Sequence, residues 1–124
     1  ICYEAVFARD VRAAPERPAF LLQVTNDAWF GTRSGPYQHL AQAQMRAIEQ
    51  GVPMMRAANT GVSAMIDPQG RITKSLPLGK AGYIDAILPE PNPPTVYSRL
   101  GDGPAFFLLL LLAGYLIHTS RRVQ

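Results

Sequence analysis

One thiol, Cys2, stands at the start of the chain between Ile1 and Tyr3, with Glu4 two residues further on. An apolar residue before it and helical character after it place Cys2 at a strand-to-helix junction. Such a position exposes a side chain and aims helix-terminal N–H groups at developing negative charge, as acyl transfer requires. A thiol of ordinary pKa, about 8.5, is only a few per cent thiolate at pH 7, so a nucleophilic Cys2 needs a base or cation nearby. Glu4 is the local candidate, and it serves equally as a helix N-terminal residue that favours the dipole. With a single cysteine there is no internal disulfide, and His39 and His118 lie too far apart for CxxC or HxxxH metal spacing, so no metal or cofactor is expected. Cys2 is thus buried filler, a partner for another chain, or a nucleophile.

Other residues draw attention by type. Trp29 and Phe30 follow Asn26-Asp27-Ala28 at a predicted strand end, where loops of layered α/β domains carry chemistry; core or lid packing explains the two aromatics as simply. His39 reads as a surface histidine or one satisfied by neighbours. Asn59-Thr60-Gly61 and Asp67-Pro68-Gln69-Gly70 read as turns chosen for backbone needs.

The elements that would position these groups follow from periodicity. Residues 3–14 have helical character, closed by Pro15 and Pro18. Residues 20–25 are short and apolar and predict a strand buried on both faces. Leu40, Ala43, Ala47 and Ile48 recur at helical spacing and predict a helix over 37–50, with Pro36 at its start and Gly51 as its C-cap. Segments 54–58, 62–66, 71–76 and 83–88 read as strands.

Pro89, Pro91, Pro93 and Pro94 then predict an extended linker. Beyond Asp102 an uncharged stretch runs from Gly103 to Ser120, with five consecutive leucines from Leu108 to Leu112. At ~1.5 Å per residue it reaches about 27 Å, close to the ~30 Å hydrocarbon core, and it shows no polar face, so a transmembrane helix is expected over a buried core helix. Arg121 and Arg122 place its C-terminal end in the cytoplasm and the preceding domain outside it, with Arg99 as the weaker opposing charge.

The 124 residues are 48% hydrophobic and 17% charged, which excludes a disordered tail. The net charge of +3 is spread from Arg9 onward without one basic face, which argues against nucleic acid. With neither initiator Met nor basic leader before Cys2, the chain is expected to be part of a longer one.

Taken together and in order, Ile1-Cys2-Tyr3-Glu4, Thr25-Asn26-Asp27-Ala28-Trp29-Phe30-Gly31, Gly35-Pro36-Tyr37-Gln38-His39, Met45-Arg46-Ala47-Ile48-Glu49 and Arg56-Ala57-Ala58-Asn59-Thr60-Gly61 resemble apolipoprotein N-acyltransferases, a family within the nitrilase, or carbon-nitrogen hydrolase, superfamily. The resemblance implies an α/β fold: residues 1–88 as the C-terminal part of an α-β-β-α sandwich, 89–102 as linker, 103–120 as membrane helix and 121–124 as cytoplasmic tail. It implies Cys2 as nucleophile, supported by Tyr3, Glu4 and Trp29, with a catalytic Glu and Lys upstream, so that Glu4, Lys74 and Lys80 hold neither role. The implied partners are a phospholipid acyl donor, a lipoprotein acceptor and the bacterial inner membrane, with the catalytic domain in the periplasm and the protein a monomer. A membrane-anchored amidase and a non-enzymatic membrane module are the competing readings.

Overall fold

The computed structural model describes residues 4–122. The expected first helix is split: a 3-10 turn over Glu4–Val6 is followed by α1, Ala8–Arg12. After Pro18 the chain enters β1, Leu21–Asn26, and a second 3-10 turn, Asp27–Phe30, leads into α2, Ser34–Gln50. Then come β2 (Met54–Asn59), β3 (Ser63–Ile66) and β4 (Ile72–Leu76). Two helices close the described chain, α3 (Val96–Leu100) and α4 (Gly103–Arg122).

The four strands form one sheet in chain order. β1 and β2 are parallel, with Leu21 opposite Met54 and Asn26 opposite Asn59, as expected for strands joined through a helix. β2–β3 and β3–β4 pair antiparallel. The Asp67 turn closes the β3–β4 hairpin: Gly70 N–H donates to the Asp67 carbonyl at 2.9 Å, and Asp67 Oδ1 accepts from the N–H groups of Gln69 and Arg71.

α2 covers one face of the sheet. Ala43 and Ala47, both fully buried, let the helix backbone approach closely, and Leu40 fills the remaining space against Met54, Val62, Ala64 and Ile66. Gly51 ends the helix at φ +64°, and its N–H returns to the Ile48 carbonyl.

The opposite face differs from expectation. β1 is buried on one face only: Leu22 and Val24 are 64% and 52% exposed. Burial on both faces requires a second layer, and α2 supplies just one; an α-β-β-α sandwich would set another sheet here. Residues 83–88 are also not a strand. Ile84 and Ala86 line a cavity with Leu22, Met55 and Met65, so this segment lies across the open face instead of along the free edge of β4, and its backbone has no ladder to join.

Residues 89–95 run extended against the end of α2. Asn92 N–H donates to the Gly51 carbonyl, and the Thr95 hydroxyl donates to the Glu49 carbonyl while accepting from Ser98 N–H as the N-cap of α3. α4 follows almost at once. Its 20 residues span about 30 Å, and it is the helix among the described residues that is long and apolar enough to cross a membrane.

Gly51 and Gly79 both have positive φ, but a Cβ at Gly51 would come within 2.9 Å of Thr95 Cγ2 and one at Gly79 would meet nothing within 4 Å. Gly79→Ala should therefore cost about 1–2 kcal/mol, the backbone penalty alone, and Gly51→Ala distinctly more. Thermal unfolding of the intact protein in detergent checks this; equal losses would contradict the packing of residues 93–95 on the helix end.

Candidate active site

The segment between β1 and α2 has a structural reason for almost every residue. Asn26 Oδ1 accepts from Ala28 N–H at 3.1 Å and from the Asn59 side chain at 3.3 Å, capping the 3-10 turn. Asp27 turns inward and is fully buried. Trp29 points outward and is 84% exposed. Phe30 packs edge-on against His39 with ring centroids 5.2 Å apart. Gly31 takes φ +70°, and Gly35 leaves room for Phe30, whose Cβ lies 2.6 Å from where a Cβ on Gly35 would be.

The Asp27 carboxylate is the centre of a buried polar cluster. Arg56 Nη2 on β2 donates to Asp27 Oδ2 at 2.6 Å, and both side chains are completely shielded from solvent. Arg56 Nη1 donates to Gln23 Oε1 on β1, and its Nε donates to the Val62 carbonyl at 3.2 Å. Because Gln23 turns its oxygen to Arg56, its Nε2 is the donor toward His39 Nε2 at 3.2 Å. The proton of the neutral imidazole then belongs on Nδ1, which donates to Asp27 Oδ1 at 2.9 Å. Each oxygen of the carboxylate is thereby paired, the condition under which a buried charge is tolerable.

This arrangement assigns His39 firmly: it is a satisfied histidine, not a surface one. With both ring nitrogens engaged inside the fold, it holds Asp27 in place and is poorly suited to shuttle protons. Gly61 has a related duty. A Cβ there would sit 2.2 Å from Asp27 Oδ2, so the β2–β3 turn needs glycine for the backbone to pass the carboxylate. Sequence reasoning treated Asp27 and Arg56 as parts of motifs and gave them no role. The available signal was an arginine set between Met55 and Ala57 in β2, and an aspartate at the turn that follows β1.

Of the four expected site residues, Cys2 and Tyr3 lie outside the described residues. Glu4 is exposed and begins the first 3-10 turn, beside a cavity shared with Leu21, Gln23 and Met54 near the N-terminal end of β1. Trp29 follows the opposite, C-terminal end of β1. The structure therefore does not bring Glu4 and Trp29 together.

Residues 1–90 match the carbon-nitrogen hydrolase family, and the chain belongs to it. Within that family its similarity is to apolipoprotein N-acyltransferases. It is 57% identical over 112 residues to the one from Rhodopseudomonas palustris, covering 90% of this chain and 21% of that protein. With the Bradyrhizobium diazoefficiens protein the identity is 54% over 123 residues, 99% of this chain and 22% of the relative. With that of Rickettsia bellii it is 43% over 120 residues, 94% and 24%. The chain thus spans about a fifth of the length of the Rhodopseudomonas and Bradyrhizobium proteins.

Removing one partner of a buried ion pair leaves the other charge stranded. Arg56→Met should lower stability by about 3–5 kcal/mol, and the Asp27→Asn/Arg56→Met double variant should lose clearly less than the sum of the two single losses. Additive losses in thermal unfolding of the intact protein would show that the two side chains do not form the pair described.

Proposed function

We propose that the protein containing this chain is an N-acyltransferase that moves an acyl chain from a phospholipid, through a thioester on Cys2, to the N-terminal amine of a diacylglyceryl-modified lipoprotein. The observation that carries this reading is the Bradyrhizobium match, which runs over 99% of the chain and so includes both the Cys2 segment and apolar α4. A soluble amidase of the same family has no use for such a helix.

In the first half-reaction the Cys2 thiolate attacks the ester carbonyl. A C–S bond forms, the C–O bond breaks, and the lysophospholipid oxygen leaves with a proton. In the second, the lipoprotein amine attacks the thioester: a C–N bond forms, the C–S bond breaks, and the nitrogen gives up a proton. The Tyr3 N–H stands one residue after the nucleophile, a suitable donor to the oxyanion. Glu4 supports the same segment, and exposed Trp29 suits contact with a lipid chain. The general base and the lysine are assigned to sequence upstream of residue 1. Residues 1–88 form the end of the catalytic domain, 89–102 a linker, 103–120 the membrane span and 121–124 a tail. The arginines at the C-terminal end of α4 favour a cytoplasmic tail, a periplasmic catalytic domain and an inner-membrane location. Both substrates are lipidated, which is the physical reason to hold the site at a membrane surface. The protein acts as a monomer, without a cofactor.

Cys2→Ser in the intact protein should reduce transfer to background while membrane insertion and thermal stability stay unchanged, read as the mass of the lipoprotein's N-terminal peptide after incubation with phospholipid. Retained transfer would eliminate Cys2 as nucleophile. Release of free fatty acid without acylated peptide by the unmodified protein would favour the amidase.

A further inference from the structure

Away from the Asp27 cluster, a cavity of about 310 Å³ opens where the end of α2, the loop after α1 and α3 meet, lined among others by Arg12, Arg17, Gln50, Ser98 and Arg99. Its volume is at the lower end for small-ligand pockets, the size of a headgroup and not of an acyl chain. Arg17 is largely committed to the fold, since its Nη2 donates to the carbonyls of Gln50 and Gly51 at 3.2 Å. Arg12 and Arg99 are exposed at the rim. Glu16 is the one carboxylate in the lining, so three guanidinium groups face a single opposing charge.

Guanidinium donors at the rim specify an oxyanion. The position specifies its source: Arg12 packs against Gly101, where an added Cβ would meet its Cζ at 2.9 Å, and Arg99 precedes Gly103, the first residue of α4, by four positions.

We infer that this cavity is a binding site for the phosphodiester of an anionic phospholipid headgroup, held by Arg12 and Arg99 at the foot of α4. The inference rests on α4 being a membrane span. Juxtamembrane arginines favour anionic lipid by about fivefold each, and the charge here is seated at a cavity of headgroup size. A headgroup so held would fix the height of the domain above the bilayer, because residues 92–95 bind the same helix end to the rest of the fold.

The test is lipid retention by the intact protein in phosphatidylcholine nanodiscs doped with phosphatidylglycerol, read by native mass spectrometry. The unmodified protein should retain phosphatidylglycerol preferentially, and Arg12→Gln/Arg99→Gln should weaken that preference on the order of 30-fold while inserting normally. Arg12→Lys/Arg99→Lys should keep most of it, separating lost charge from lost folding. An inserted Gln variant with undiminished phosphatidylglycerol would overturn the site. So would saturable binding of inorganic phosphate in lipid-free detergent, lost in the Gln variant, without any lipid preference. Failure of the unmodified protein to fractionate with membranes would instead remove the membrane-span reading on which the site rests.

Discussion

The charge on Asp27 must be compensated inside the protein, and this constraint organises everything around it. Water cannot reach the carboxylate, so Arg56 and His39 supply its partners, and those residues come from β2 and α2 while Asp27 itself leaves β1. Desolvating an ion costs several kcal/mol, so a partly completed cluster would be worse than none. Three elements are consequently locked in one arrangement. Gln23 joins them by giving its oxygen to Arg56 and its amide to His39, and Gly61 lets the β2–β3 turn close over the carboxylate. The outcome is a rigid strand end on which one aromatic side chain, Trp29, is held outward.

The two faces of the sheet carry different obligations. Toward α2, fully buried alanines bring helix and strands together and complete a core. On the other face, Leu22 and Val24 remain exposed, and Leu22 lines the cavity formed with Ile84 and Ala86. This is the exposed surface of a layer built to be covered, in keeping with a chain that spans about a fifth of its relatives' length. The proline-rich segment has a similar integrating role. By donating from Asn92 to the Gly51 carbonyl and from Thr95 to the Glu49 carbonyl, it ties the C-terminal end of α2 to the start of α4.

Much of this was readable from the sequence, and the limits have physical causes. β1, α2 and the β3–β4 hairpin come through because their signals are local: apolar runs, 3.6-residue recurrence, a glycine C-cap and an Asp-Pro-Gln-Gly turn. Residues 83–88 are apolar enough for a strand, yet they lie over the open face of the sheet and meet β4 through the Lys74 side chain, with no ladder formed. The twofold burial expected of β1 depends on a layer absent from these residues. The aspartate–arginine–histidine cluster joins positions 27, 39 and 56, and nothing local in the sequence says that their elements converge. Motif resemblance singled out Trp29 within its segment; it could not say that Asp27, two residues before, is what holds that segment.

The proposed acyl transfer requires that Cys2 carry the chain. The most direct measurement is the intact mass of the full-length protein after incubation with phospholipid, before and after hydroxylamine. Thioester relay predicts an added acyl mass that maps to Cys2 and disappears with hydroxylamine. Absence of any adduct on a Cys2 thiol that alkylates readily would contradict it.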